Sequence, residues 1–180
     1  MTFDQSEFAV RCEWGLRGMR ELAPISDVVI IVDVLSFTTA LDIAVSRGAT
    51  IFPYPLKDDS AATYAATLDA HLAVPHRQPG FSLSPSSLQS LPAGYRLVLP
   101  SPNGAALSFA ADYATVLAGC LRNAAAIAAA SARIGATIAV EKPGTRASSV
   151  PVWKTNSVRS RDRRTSRHSI PRSRSCRRGL

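Results

Sequence analysis

Cysteine is nearly absent from the 180 residues: Cys12, Cys120 and Cys176 are odd in number and far apart. None belongs to a Cys-x-x-Cys pair or stands near two histidines, which excludes a disulfide framework and a zinc finger. They read as reduced thiols in a cytoplasmic protein. Histidine is as scarce, and His71, His76 and His168 are isolated from one another and from any Gly-x-Ser-x-Gly or phosphate-loop signature, so none is assigned to catalysis. Long apolar runs are missing too. The stretch around Val28 to Leu35 is too short to span a bilayer, and the Ala-rich stretch from Ala118 to Val140 is broken by Arg122, Asn123 and Arg133. The N-terminus, MTFDQSEFAV, carries acids where a secretory signal needs basic residues. No membrane segment is expected.

What is present is a hydrophobic fraction of 46%, enough to fill the core of one domain. The net charge of +8 invites a nucleic-acid reading until its position is considered. From Gly144 onward there are ten Arg, Lys154 and one acid, Asp162, so this tail carries about +10 and the residues before it about −2. The body is slightly acidic, and the pI of about 10.1 belongs to the tail.

Along the body, one unit recurs. Val28-Val29-Ile30-Ile31-Val32 is β-branched with no polar alternation, the pattern of a strand buried on both faces. Asp33-Val34-Leu35-Ser36 then leads into Phe37–Val45, apolar at helical spacing and stopped by Gly48. Thr50–Tyr54 predicts a second strand, and Asp58–Leu72 a second helix opened by polar caps. Pro75–Pro92, rich in Pro, Ser and Gly, predicts a long surface loop. Arg96–Leu99 predicts a strand, followed by Ser101-Pro102-Asn103-Gly104 and a helix to about Tyr113. Thr115–Gly119, Leu121–Ala132 and Thr137–Val140 repeat strand, helix, strand. The expectation is an α/β fold, a layered mixed or parallel sheet with flanking helices, and chemistry in the turns at the strand C-termini. After Val140 the periodicity vanishes and Arg and Ser dominate, a composition that cannot bury a core. The division expected is residues 1–142 as the N-terminal part of an α/β domain, incomplete at its C-terminus, and 143–180 as a disordered basic tail.

Three turns carry polar residues. Asp33 closes the most hydrophobic strand, where a carboxylate is costly unless it caps the next helix, pairs, or binds a cation; capping and a Mg²⁺ ligand weigh equally here. Thr38 and Thr39 add hydroxyls and N–H groups at a helix start that favours anions. Ser101, Asn103 and Gly104 form the arrangement that lets backbone N–H groups approach a phosphate, though an ordinary Pro-Asn-Gly turn explains them as well. Arg122 and Asn123 follow the next strand, and the guanidinium there suits a phosphate or sulfonate as readily as it suits solvent. Three such turns at one edge of a single sheet would meet in space.

In order, spacing and residue type, VVIIVDVLSFTTALDIAVSRGA, LVLPSPNGAAL and VLAGCLRNAAAIA resemble the 2-phosphosulfolactate phosphatases. The likeness covers about three-quarters of the chain, beginning at VRCEWG. It implies hydrolysis of a phosphate monoester, in the coenzyme M pathway (2R)-phospho-3-sulfolactate to (2R)-3-sulfolactate and phosphate, with Mg²⁺ as cofactor. It implies Asp33 as the metal-binding acid, Thr38 and Thr39 as lining of the helix start, Asn103 and Gly104 as the phosphate-side turn, and Asn123 as the polar group of the third turn. Asp33, Asn103 and Arg122 are therefore the catalytic candidates, with Ser36, Thr38, Thr39, Ser101, Gly104 and Asn123 as substrate-binding candidates. Ser36 stands where many members carry Arg, and Glu141-Lys142-Pro143-Gly144 stands where members continue with a turn bearing further carboxylates.

That break motivates the expectation of a frameshifted or truncated C-terminus. The partner expected is a small anionic phosphate ester, with no specific nucleic acid and no membrane; homo-oligomerisation is left open. The competing readings are an inactive remnant of the same enzyme, and non-specific binding of nucleic acid by the basic tail.

Overall fold

A computed structural model describes residues 5–111 and 114–143. The basic tail, with His168 and Cys176, lies outside them, as does Tyr113. Two parallel sheets stand where the sequence suggests one. The first has the order β1 (Val10–Trp14), β7 (Ile138–Lys142), β2 (Val28–Ile31), β6 (Thr115–Ala118). The second has the order β3 (Thr50–Tyr54), β5 (Arg96–Pro100), β4 (His71–Leu72). Every pairing is parallel.

The helices are α1 (Gly15–Leu22), α2 (Phe37–Ser46), α3 (Ser60–Thr67), α4 (Gly104–Ala110) and α5 (Ala124–Ile134). None of them is long and apolar enough to cross a membrane.

β2 is central because its residues allow it: Val28, Val29 and Ile31 are all buried, so both faces of the strand are covered. α2 follows from the spacing of Phe37, Ala40 and Ala44, which places three buried residues on one stripe. The helix ends in a Schellman arrangement. Gly48, at φ +79°, donates its N–H to the Val45 carbonyl at 2.9 Å, and Ala49 donates to Ala44 at 3.1 Å.

The apolar stripe of α2 packs not on its own sheet but on the second one, in a core with Leu88, Leu91, Leu97 and Leu99. A second core joins α1 and α4 to the first sheet through Met19, Leu22, Leu107, Val29, Ile31 and Ala139. Each fully buried Leu or Phe in these clusters contributes about 1.5–3 kcal/mol. α4 touches β2 as well as β3 and thereby ties the sheets together.

Beyond the second sheet, other features differ from the sequence reading, among them the Pro75–Pro92 stretch, expected as a surface loop, which turns inward to bury Leu88 and Leu91 because the core on the second sheet lacks other apolar cover there. The expected Asp58–Leu72 helix stops at Thr67. Asp69, at φ +49°, turns the chain, and His71–Leu72 pair with β5 as a short strand. β1 and α1 were not legible as elements; α1 buries only Gly18, Met19 and Leu22 of its eight residues, too short a stripe to register as periodicity. β7 runs on through Glu141 and Lys142, two residues past the expected boundary.

Candidate active site

Asp33 lies just beyond the C-terminal end of β2, and the local sequence holds its backbone on both sides. Its N–H donates to Thr38 Oγ1 at 3.2 Å, and its carbonyl accepts the Thr38 N–H at 3.0 Å. The Thr39 hydroxyl donates to the Val34 carbonyl at 2.9 Å, and the Ala40 N–H donates to Ser36 O at 2.9 Å. The two threonines therefore serve the turn more than a ligand: Thr38 is wholly buried, and both hydroxyls are engaged with main chain. With the turn fixed this way, the Asp33 side chain is left to project half-buried from the sheet edge. Burial raises its pKa above the ordinary carboxylate value, while the Gly104 N–H and the charge of Lys142 act in the opposite direction.

The contribution of Gly104 joins a second turn to the first. Ser101 and Gly104 follow β5, which belongs to the other sheet, so the expectation of turns along one sheet edge is corrected: two of the three turns follow strands of the first sheet and one follows a strand of the second. They meet because α4 starts against α2. A Cβ on Gly104 would lie 2.1 Å from Phe37 Cδ1, so only glycine permits this approach. The buried Ser101 hydroxyl accepts the Gly104 N–H at 3.2 Å and closes the turn. Asn103, at the N-cap of α4, is exposed and makes no side-chain cap.

The third turn is pinned by Asn123. Its Oδ1 accepts the Cys120 N–H at 2.8 Å and its Nδ2 donates to the Ala118 carbonyl at 3.0 Å, so both ends of the amide are used inside the turn. Gly119 donates to the Ile31 carbonyl at 2.8 Å, which places this turn directly beside the end of β2. Arg122 does not face Asp33 in this structure. Its Nε donates to Asp42 Oδ2 on α2 at 2.8 Å, with 56% of the side chain exposed.

The three turns thus assemble, but their polar atoms divide in function. Thr38, Thr39, Ser101 and Asn123 hold backbone. Asp33 and Asn103 remain for chemistry, the Gly104 N–H being engaged by Ser101 and Asp33, with Ser36 lining a neighbouring cleft.

Two charged residues at the same end of the first sheet, noted in the sequence only as a departure from the family, were not among the site candidates. Lys142, at the end of β7, acts on Asp33. Glu141, one residue earlier, is entirely buried, and neither carboxylate oxygen has a hydrogen-bond partner. Burial, and then the charge of Glu13, push its pKa up to about 8. Lys142 and Glu141 lie where the apolar pattern stops, so no periodic signal drew attention to them.

Among the described residues no three His, Cys, Asp or Glu side chains form a metal cage. A single carboxylate nevertheless suits Mg²⁺, which keeps most of its waters and takes one or two carboxylates together with phosphate oxygens. Asp33, whose carboxylate has no side-chain partner, fits that mode.

No curated protein matches the chain in a search of characterised sequences. A family model described as 2-phosphosulpholactate phosphatase matches residues 18–148, a span that contains all three turns and β7. The chain belongs to the 2-phosphosulpholactate phosphatase family.

Proposed function

We propose that the chain is a cytoplasmic, Mg²⁺-dependent phosphatase that hydrolyses 2-phosphosulfolactate, or a closely related small phosphate monoester, to the alcohol and phosphate. The observation that carries this reading is the meeting of two turns from two sheets, with the Gly104 N–H acting on the half-buried Asp33 carboxylate. Phosphoryl transfer asks the protein for positioning and charge stabilisation more than for covalent chemistry. Asp33 would hold the ion, which when bound supplies positive charge to the phosphoryl oxygens. The unengaged Asn103 amide would donate hydrogen bonds to those oxygens, while the Gly104 N–H steadies Asp33. Water adds to phosphorus, the ester P–O bond breaks, and the alcohol leaves with a proton.

The test is phosphate release from a panel of small phosphate esters that includes phosphosulfolactate, with Mg²⁺ and with EDTA. Circular dichroism first verifies that each protein folds. Asp33→Ala is expected to abolish the Mg²⁺-dependent release; full activity in that variant removes Asp33 from the mechanism.

A second reading is supported by Glu141. An unpartnered carboxylate stands at a fully buried position between β1 and β2, opposite a second acid, Glu13, at the point where the apolar pattern ends. We read this as support for a catalytically inactive remnant of the same family. A folded wild-type chain that releases no phosphate from any ester of the panel would establish that reading over the first.

A further inference from the structure

Beside the Asp33 turn lies a cleft of about 710 Å³ that none of the sequence motifs announces. It is far larger than a phosphate group requires and falls within the range of small-molecule sites. Ser36 forms part of its wall, three residues from Asp33, and so does Pro100, which Ser101 follows directly. The cleft therefore borders the two turns that meet at Asp33, with Ser36 and Pro100 rather than Asp33 or Gly104 in its wall. Its far side is made by the segment opening α3 and by the Pro- and Ser-rich loop after β4, which bring Lys57 and His76 to the same space.

We infer that this cleft receives the non-reacting acid group of the substrate, a sulfonate or carboxylate, with Lys57 as its principal ligand and His76 as a second donor. The inference rests on the phosphatase reading for what occupies the Asp33 end.

The argument is one of unspent hydrogen-bonding capacity. Two acids also line the cleft, Asp58 and Asp59. Asp58 is engaged through one oxygen: its Oδ1 accepts both the N–H of Ser60, at 3.0 Å, and the Ser60 hydroxyl. Asp59 occupies the N-cap position of α3, where the aligned peptide dipoles of the helix offset a negative charge. Lys57 has no such commitment. Among the described residues it makes no ion pair, Arg122 and Asp42 forming the one present, and His76 makes no hydrogen bond. Both side chains are exposed and accessible to a ligand entering from solvent. An ammonium and an imidazole N–H are donors that a second oxyanion can use, while the apolar wall of Leu83, Pro85 and Pro100 suits the short carbon chain between the two acid groups.

The experiment compares wild type, Lys57→Met, Lys57→Arg and His76→Gln on three esters: phosphosulfolactate, phospholactate, which has the carboxylate alone, and p-nitrophenyl phosphate, which has neither acid group. The expected result for Lys57→Met is a KM at least tenfold higher for the substrate whose acid group Lys57 holds, with kcat unchanged and p-nitrophenyl phosphate kinetics unaltered. Lys57→Arg restores most of the loss, and His76→Gln gives a smaller rise. A loss confined to phosphosulfolactate assigns the cleft to the sulfonate; an equal loss on phospholactate assigns it to the carboxylate. Equal effects on all three esters, or none, overturn the inference. Binding of sulfolactate, the unphosphorylated product, is measured in parallel by calorimetry and needs no turnover. If wild type proves inert as an enzyme but binds sulfolactate, and Lys57→Met weakens that binding tenfold, the phosphatase reading fails and the cleft assignment stands. Absence of sulfolactate binding to wild type overturns the cleft assignment itself.

Discussion

Glu13 on β1 and Glu141 on β7 stand opposite one another in parallel register, so their side chains share a face of the first sheet beneath α1. The position is crowded. A Cβ on Gly18 of α1 would lie 2.4 Å from Glu13 Cβ and 3.2 Å from Glu141 Oε2. Glu13 has one donor, the Gln5 side-chain amide at 3.0 Å, and Glu141 has none. A buried carboxylate without a donor is held in its protonated form, and the nearby Glu13 charge reinforces this.

This pair gives the chain a stability that falls as pH rises. The folded pKa of Glu141 is raised from an ordinary 4.5 to about 8, so the folded state binds more protons than the unfolded state between those values. The contribution of Glu141 is complete below about pH 4.5 and is lost progressively until pH passes about 8. A shift of this size amounts to roughly 4–5 kcal/mol when fully developed, at about 1.4 kcal/mol per pH unit. Urea unfolding of wild type at pH 5, 7 and 9 is expected to show this decline, and Glu141→Gln is expected to flatten it. Glu141→Leu, which also removes the unpaired polar group, is expected to stabilise the protein at pH 8 by about 2 kcal/mol or more. A wild-type chain as stable at pH 9 as at pH 5 would show that Glu141 finds a partner.

Gly104→Ala is expected to cost stability and activity together. The added methyl meets the Phe37 ring at 2.1 Å, and neither α2 nor α4 can yield without opening a core. Overpacking of this kind costs about 1–3 kcal/mol. Because the same shift withdraws the Gly104 N–H from Asp33, phosphate release should fall further than the loss of folded protein explains. Activity that tracks the folded fraction, followed by circular dichroism and phosphate assay on the same samples, would separate Gly104 from the chemistry.

Asn123 and Arg122 are neighbours with opposite expectations. Asn123→Ala leaves the Cys120 N–H and the Ala118 carbonyl without their partner and should destabilise by about 1–3 kcal/mol. Arg122→Ala removes an exposed ion pair with Asp42 and should change stability by less than about 1 kcal/mol. Chemical denaturation of the two variants tests both. If Arg122 leaves Asp42 to meet the substrate's negative charge, Arg122→Ala lowers phosphate release without moving the denaturation midpoint, and Asp42→Ala does not.

Asp27 should act at the acid end of the pH range. Its Oδ2 accepts the N–H groups of Ala136 and Thr137, each at 2.9 Å, and the Thr137 hydroxyl at 2.7 Å. Hydrogen bonds from Thr137 lower its pKa, so its contribution is present above the ordinary carboxylate value and is lost as pH falls through the lowered one. Asp27→Asn is expected to reduce stability at pH 7 and to make the acid limb of the denaturation profile shallower. An unchanged acid limb would show that this exposed carboxylate adds nothing to folding.

Much of the fold could be read residue by residue. β2 and α2 were legible because Val28–Ile31 is uniformly β-branched and Phe37, Ala40 and Ala44 keep helical spacing; both patterns are local and survive in any α/β context. The turns after β2, β5 and β6 were legible because Asp, Asn and Gly, the usual residues of turns and helix caps, break the apolar runs that form those strands. The division of labour within those turns was not legible. A threonine that lines a ligand and one that clamps main chain look identical in sequence, and only hydrogen-bond geometry distinguishes Thr38 as the latter.

The amino-acid sequence by itself determined most element types, the family and the concentration of net positive charge in the tail, since each depends on composition, short-range spacing or ordered motifs. Tertiary structure alone decided that the strands divide between two sheets, that the Gly104 turn reaches Asp33 through contact with Phe37, and that Glu141 lies buried opposite Glu13. The physical reason is the same for all three. Strand order, helix approach and the dielectric surroundings of a carboxylate depend on contacts between residues tens of positions apart, and no local pattern encodes which distant neighbour a side chain will meet.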